Sequence, residues 1–491
     1  MITALPIRKC LDAREVLPVG TYNWTQVPMP DRDAKERTRT FDEVALGYSY
    51  QLAKEEADRC LQCKHPACEE GCPNHNPIRD FIRLVREDRI IEAAELDWSQ
   101  NAIPSCTGRV CAWEKQCEGA CPMSIKGETI KIGAIERFLS DYALAHLDQV
   151  QPEKWVRRSL SQKVAVIGAG PAGLTVGHFL SQEGYQVTVF DKWIVPGGVM
   201  AYGIPEYVLP NEVILQEVSR LTRQGVRFEM GVDIGKDVTI ADLKKQGYEA
   251  IFLGLGANKA TGVGVPGEDL AGVMSAKDFL MRVAADVTTN YPSHEKPNTI
   301  DVGNRVIVIG AGNTAMDAAR TAVRLGAKEV KIVYRRTEAE SPSRPIEIHH
   351  AKAEGVEFEY LVNPVRFVGD ESGRVTGAEL VRMRLGAPDK SGRPRPEPIP
   401  GSEFIMPIDT AISAVGYSPE RELTDQMEGL QLDKWGSVVA DLKTGATSLE
   451  GIFAGGDIVT GANTVVHAVA AGRKAAETIQ HYLEERARAS A

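Results

Sequence analysis

Lys163-Val-Ala-Val-Ile-Gly168-Ala-Gly170-Pro-Ala-Gly173-Leu174 leads into a helical stretch and then into Gln186-Val-Thr-Val-Phe-Asp191. A short apolar strand feeding a G-x-G-x-x-G turn lets the backbone approach a pyrophosphate, and the following helix offers its N–H donors and the positive end of its dipole. Asp191 closes the second strand about 20 residues on, where a carboxylate can accept hydrogen bonds from a ribose hydroxyl. Strand, turn, helix, strand and acid in that order predict a doubly wound α/β dinucleotide-binding domain. Gly168, Gly170, Pro171, Ala172, Gly173, Asp191 and Lys192 are expected at the cofactor, with Gly198 close by.

A second unit follows at Arg305-Val-Ile-Val-Ile-Gly310-Ala-Gly312-Asn-Thr-Ala315-Met-Asp317, with its next strand at Val330-Lys-Ile-Val-Tyr334. Gly310, Gly312, Asn313, Thr314 and Ala315 are expected to form its phosphate turn. That strand ends in Arg335-Arg336, where an NAD site has an acid. Guanidinium groups there suit a 2′-phosphate, which favours NADPH over NADH; a solvated surface pair is the plainer reading.

A third segment, Gly451-Ile-Phe-Ala-Gly455-Gly456-Asp457-Ile and then Asn463-Thr-Val-Val-His-Ala-Val, reads as a strand ending at Gly456-Asp457 and a helix starting near Thr464, Val465 and Val466. Asp457 can reach the ribityl or phosphate end of a flavin nucleotide, and the helix N–H groups its pyrimidine. The segment resembles the C-terminal FAD motif of flavoproteins of the glutathione and thioredoxin reductase kind. That likeness implies an FAD domain of residues 163–302 and 403–491, interrupted by an NADPH domain of residues 303–402.

The N-terminal third differs in kind. Eight of nine cysteines lie in two runs, Cys60-x2-Cys63-x4-Cys68-x3-Cys72-Pro73 and Cys106-x4-Cys111-x5-Cys117-x3-Cys121-Pro122. Soft thiolates at this spacing suit iron–sulfur clusters. Structural zinc remains open, although it more often uses paired CxxC knuckles. Disulfides fit worse, because nothing in the opening MITALPIRKC marks secretion. Cys10 reads as an ordinary free thiol. Residues 1–150 otherwise look helical, as in Tyr48–Arg59, Pro77–Glu87 and Thr129–Tyr142, and a polar connector, Gln151–Gln162, leads to the α/β part.

The chain of 491 residues is 43% hydrophobic and 25% charged, with net charge −10. This describes a soluble, cytoplasmic protein of three domains with no membrane-length apolar run, and its interleaved charges argue against a nucleic-acid surface. No cysteine follows Cys121, so thiol–disulfide exchange at the flavin is not expected and the N-terminal clusters become the electron exit.

The whole chain is similar to the small (β) subunit family of NADPH-dependent glutamate synthase. Relatives are the large subunit of NADH-dependent ferredoxin:NADP oxidoreductase and the N-terminal part of dihydropyrimidine dehydrogenase. The likeness rests on Ala57-Asp-Arg-Cys60-Leu-Gln-Cys63, Gly108-Arg-Val-Cys111, Gln116-Cys-Glu-Gly-Ala-Cys121, Pro196-Gly-Gly-Val-Met-Ala-Tyr-Gly-Ile-Pro205, Gly312-Asn-Thr-Ala-Met-Asp317, Tyr334-Arg-Arg336 and Ala454-Gly-Gly-Asp457. It implies two Rossmann-like domains, for FAD and NADPH, preceded by a helical domain with two [4Fe-4S] clusters. It further implies interleaved ligands: Cys60, Cys63, Cys68 and Cys121 for one cluster, and Cys72, Cys111 and Cys117 for the other. Glu136 is favoured over Cys106 as the eighth ligand.

The expected activity is oxidation of NADPH, with hydride passing to FAD and single electrons leaving through the clusters. The expected partner is the glutamate synthase large subunit, which makes L-glutamate from glutamine and 2-oxoglutarate. The alternative is the large subunit of an electron-bifurcating ferredoxin:NADP oxidoreductase, with ferredoxin or another flavoprotein as acceptor. A scaffold that has lost turnover is the third reading.

Overall fold

The computed structural model describes residues 23–289, 300–389 and 392–490, so Cys10 lies outside the described residues. The N-terminal part is built on helices Tyr50–Asp58, Ile78–Arg86, Ile90–Trp98, Pro104–Val110 and Ile132–Leu144. In Ile78–Arg86 the buried side chains Ile78, Phe81, Ile82 and Val85 recur at helical spacing and form one apolar stripe. Ser49 caps the first of these helices by accepting from Leu52 N. Gly108 lets Pro104–Val110 cross Ile132–Leu144 closely: a Cβ there would sit 2.7 Å from Arg137 N and 2.8 Å from its Cα. Cys106 lies within Pro104–Val110 and Cys68 within a short helix Ala67–Gly71; the other described cysteines occupy the turns between helices.

Two parallel five-stranded sheets follow. In the first, the order is Ile452–Ala454, Tyr248–Leu253, Lys163–Ile167, Gln186–Asp191 and Arg227–Met230. In the second it is Val273–Ser275, Thr410–Ser413, Arg305–Ile309, Glu329–Tyr334 and Glu357–Tyr360. Each motif-bearing strand is central, with its next strand on one side and a later one on the other. Both turns therefore open at a topological switch point, the crevice where such sheets take ligands.

Because Val273–Ser275 and Thr410–Ser413 belong to the second sheet, that unit extends beyond the expected limits of 303 and 402 on both sides. The chain crosses between the sheets at a small antiparallel ribbon, where Ala260 pairs with Tyr417 and Lys259 with Ser418. An antiparallel layer, with Val375–Pro388 pairing against Val362–Gly369, Pro394–Pro398 and Phe404–Pro407, packs on the second sheet.

The parts share their cores. Ala102, Ile103 and Cys106 from the helical part are buried with the first sheet's apolar residues. Phe41, Val44 and Tyr207 are buried with those of the second. The expected polar connector is itself docked: Trp155 packs on Trp98 at 5.7 Å, and the buried Arg220 guanidinium lies 5.1 Å from one ring and 5.7 Å from the other. Glu217 pairs with Arg220 and accepts from Ser105 Oγ and Trp98 Nε1, welding the helix Asn211–Arg223 to the helical part.

Candidate functional site

The first turn is compact because its glycines leave no room for side chains. Gly168 adopts φ +107° against the Gly254 carbonyl, and a Cβ on Gly173 would collide with the Gly168 oxygen, so strand and helix meet without spacers. The helix Pro171–Gln182 starts at Gly170 with Pro171 in its first turn. Asp191 Oδ2 accepts from Ala169 N at 2.7 Å and its Oδ1 from Trp193 N at 2.9 Å. The carboxylate thus braces the turn, yet has further lone pairs for a ribose. Pro196-Gly197-Gly198 closes over the turn, with Gly197 N donating to Ala169 O at 2.9 Å.

A cavity of about 550 Å³ joins both dinucleotide turns. Of the expected residues it is lined by Gly168, Gly170, Pro171, Ala172, Asp191, Lys192, Gly198, Gly456, Asp457, Thr464 and Val465 from the first unit, and by Gly312, Asn313 and Thr314 from the second. Gly173, Gly310 and Ala315 lie behind the turns as packing residues, and Val466 points into the core of the helical part. Burial pushes the Asp457 carboxyl up to about 7, against a hydrogen bond from Asn463 N that lowers it. The chamber suits a dinucleotide: two glycine turns, two helix N-termini and the carboxylates of Asp191 and Asp457 surround it.

Arg335 and Arg336 do not line this cavity. Arg335 is exposed at the end of its strand. Arg336 is buried, with Nε donating to Pro394 O at 2.9 Å and Nη2 3.4 Å from Asp389, so it anchors the antiparallel layer. Sequence reasoning also passed over Lys277, Glu420, Tyr417 and Arg344, which all line the cavity. Glu420 bridges Lys192 at 2.5 Å and Lys277 at 3.3 Å, tying the first unit to the second. None of these residues sits in a recognisable spacing, which is why they were missed.

The thiols divide into two electrostatic neighbourhoods. Cys68 feels the charges of Cys60, Cys63 and Cys121, and Cys60 that of Cys121. Cys117 feels Cys72, Cys111 and Glu136, and Cys111 feels Glu136 and Cys72. Burial is the leading cause that raises each of these thiols, Cys72 to about 11, so the thiolates need a cation to form. Backbone N–H groups of Gln62, Asn74, Asn76, Met123 and Ile130 already point at Cys60, Cys72 or Cys121. Such donors suit sulfur ligands of iron. Among the described residues no three His, Cys, Asp or Glu side chains are gathered as around one metal ion.

Glu136 is buried beside the second set. Its Oε1 accepts from Asn101 Nδ2 and Thr107 Oγ1, both at 2.9 Å, and from Asn76 Nδ2 at 3.3 Å. Burial raises its carboxyl to about 7, and the bonds from Thr107 and Asn101 oppose that shift. Cys106 points elsewhere, into the flavin-side core, where its charged neighbours are Glu217, Arg109 and Asp141 and no other thiol.

Fold, cavity and thiol sets define a two-nucleotide flavoprotein of the oxidoreductase class with an iron–sulfur domain. Residues 37–147 match the family described as dihydropyrimidine dehydrogenase domain II, 4Fe-4S cluster, and residues 162–472 the pyridine nucleotide-disulphide oxidoreductase family. The glutamate synthase [NADPH] small chain of Escherichia coli (strain K12) is 38% identical, across 94% of this chain and 97% of that one. The NADP(+)-dependent formate dehydrogenase subunit beta of Moorella thermoacetica is 37% identical across 85% of this chain, which spans 60% of that longer one. FprA of Mycobacterium tuberculosis, solved in complex with NADPH, has the same fold over 68% of this chain and 86% of its own, with TM-score 0.56 and 20% identity. The chain belongs to the glutamate synthase small-chain family and is an NADPH-dependent FAD and iron–sulfur oxidoreductase.

Proposed function

We propose that this chain is the electron-input subunit of a larger assembly, taking electrons from NADPH at the second turn and delivering them singly through two [4Fe-4S] clusters. The observation that carries this is the shared cavity: it contains both dinucleotide turns and reaches Val110, the residue before Cys111. FAD, when bound, accepts a hydride from NADPH and releases its electrons one at a time. The chain's part is to orient the two nucleotides and exclude water, so no side chain is assigned a proton. Gly168, Gly170, Pro171, Ala172, Asp191 and Asp457 hold FAD, with Gly173 packing the turn from behind; Gly312, Asn313 and Thr314 hold NADPH, backed by Gly310 and Ala315, and Arg335 reads its 2′-phosphate.

We assign Cys72, Cys111, Cys117 and Glu136 to the inner cluster and Cys60, Cys63, Cys68 and Cys121 to the outer one. Val466, from the flavin-side helix, packs in the same core as Cys72, Cys111, Cys117 and Cys121, while Cys60 and Cys68 are only partly buried at its edge. That order runs from flavin to surface. The charge of Glu136 reaches Cys72, Cys111 and Cys117, whereas the charged neighbours of Cys106 include no thiol, and this favours Glu136 as the eighth ligand.

The match along 97% of the E. coli small chain favours the glutamate synthase large subunit as partner. The formate dehydrogenase relative supports the broader alternative of a different redox partner, as in a bifurcating ferredoxin:NADP oxidoreductase. An anaerobic pull-down from the native host tests this. A large FMN protein with a glutaminase cysteine supports the first; a small ferredoxin-reductase-like flavoprotein or a formate dehydrogenase subunit overturns it.

A further inference from the structure

The loop Ser341-Pro-Ser343-Arg344 carries no motif, yet it touches both the nucleotide turn and the cluster turn. On one side Ser341 Oγ donates to Ala311 O at 2.7 Å, while Ser343 Oγ at 2.8 Å and Arg344 N at 3.0 Å donate to Asn313 Oδ1. Ala311 and Asn313 belong to the Gly310-Ala-Gly-Asn-Thr314 turn. On the other side Lys115 Nζ donates to the carbonyls of Pro342 at 3.1 Å and Ser343 at 3.0 Å. Arg344 donates to Arg109 O at 3.1 Å and, through Nη2, to Glu114 at 3.1 Å; its guanidinium lies 4.1 Å from the Trp113 ring centre. Trp113, Glu114 and Lys115 form the turn between Cys111 and Cys117. Arg344 is buried, 4% exposed, and its charge reaches Cys111.

We propose that this loop couples the pyridine nucleotide to the inner cluster, with Arg344 the positioning residue that sets the cluster's reduction potential across the domain boundary. The inference rests on the assignment of Cys72, Cys111 and Cys117 to that cluster. Reduction adds one electron and no bond changes, so the cluster gains one negative charge. A buried cation nearby favours the reduced state, more strongly than it would in water. Asn313 begins the helix whose N-terminus receives the pyrophosphate, and the same side chain holds Ser343 and Arg344. Nucleotide binding therefore alters the restraint on the guanidinium. By linkage, the factor by which the nucleotide changes cluster reduction equals the factor by which reduction changes nucleotide affinity.

The test is an EPR-monitored redox titration of the anaerobically purified full-length holoprotein. It is run with and without 2′-phospho-ADP-ribose, which has the pyrophosphate and no reducible ring. The signal followed is the one that Cys117→Ser abolishes. Arg344→Gln should lower its midpoint by about a tenfold change in the one-electron equilibrium, about 59 mV, and Arg344→Lys should retain most of the wild-type value. The ligand should shift the wild-type one-electron equilibrium severalfold, and Ser343→Ala, which keeps the charge but removes one of the two hydrogen bonds to Asn313 Oδ1, should lose a measurable part of that shift.

An Arg344→Gln midpoint equal to wild type overturns the proposal, as does a wild-type midpoint that ignores the ligand or a shift kept in full by Ser343→Ala. If Arg344→Gln fails to assemble the cluster, the Lys and Ser343 variants decide alone. About four irons per wild-type chain instead of about eight refutes the two-cluster assignment itself, whereas about eight with an unmoved midpoint refutes only the coupling.

Discussion

Arg335 and Arg336 are adjacent, yet replacing each by Ala should produce different failures. Arg335 is exposed at the end of the strand Glu329–Tyr334, away from the antiparallel layer that Arg336 holds. A charge-assisted hydrogen bond is worth about 1.5–3 kcal/mol, so loss of a 2′-phosphate contact in Arg335→Ala should lower kcat/KM for NADPH roughly 10- to 150-fold. NADH, which lacks that phosphate, should change by less than about twofold. Arg336→Ala instead strips Pro394 O of its donor, at a cost of about 1–3 kcal/mol. Its ion pair with Asp389, whose side chain is 27% exposed, adds at most about 1 kcal/mol. That variant should therefore melt earlier and lose NADPH and NADH activity by similar factors. Steady-state oxidation of each nucleotide with ferricyanide as acceptor, together with thermal unfolding, separates the two. The reasoning is refuted if Arg336→Ala discriminates against NADPH as strongly as Arg335→Ala, or if Arg335→Ala depresses both nucleotides alike.

Glu136→Ala should remove the inner cluster, taking iron from about eight to about four per chain; both EPR signals intact would show that Glu136 is not a ligand. His178 is fully buried, with Nε2 at 2.9 Å from Trp98 O, and burial followed by the Arg220 charge holds its pKa down to about 3. Between pH 6.5 and 3 the unfolded chain binds the proton and the folded one does not, so this residue's contribution falls as pH falls, by up to about 1.4 kcal/mol per unit. His178→Gln should flatten urea-unfolding stability across pH 6.5 to 4.5, and an unchanged slope would refute the assignment. Gly173→Ala should cost about 1–3 kcal/mol or more by overpacking and release FAD, measured by flavin absorbance. Gly177→Ala, whose Cβ would meet Val226 at 3.4 Å and Val189 at 3.6 Å, should keep it.

Much of the site was legible because some chemistry is local. A glycine turn between a strand and a helix is specified within a dozen residues: the Gly168 and Gly173 backbones must meet, and no other residue type fits. The grouping of the cysteines was reachable only through the family likeness, since spacing alone leaves open which thiols face one another. Arg336 misled because strand-end position is a local property, whereas its partners, Pro394 and Asp389, lie more than fifty residues away. The domain limits were misjudged for the same reason: Thr410–Ser413 joins the second sheet through pairing with Arg305–Ile309, and no feature of its own sequence declares it.

By itself, then, the sequence determined the chemistry on offer: soft thiolates in two runs, two phosphate turns, an acid at one strand end, and no cysteine after Cys121. Those follow from short spacings, where chain connectivity alone brings the groups together. The tertiary structure alone decided that both turns open into one chamber, that Glu136 and not Cys106 stands beside Cys72, Cys111 and Cys117, and that Arg344 bridges the second glycine turn and the turn between Cys111 and Cys117. Each depends on buried contacts between segments far apart in the chain. Side chains such as Arg220 and Tyr207, which carry no motif, enforce them by filling the shared cores that hold the three parts in register.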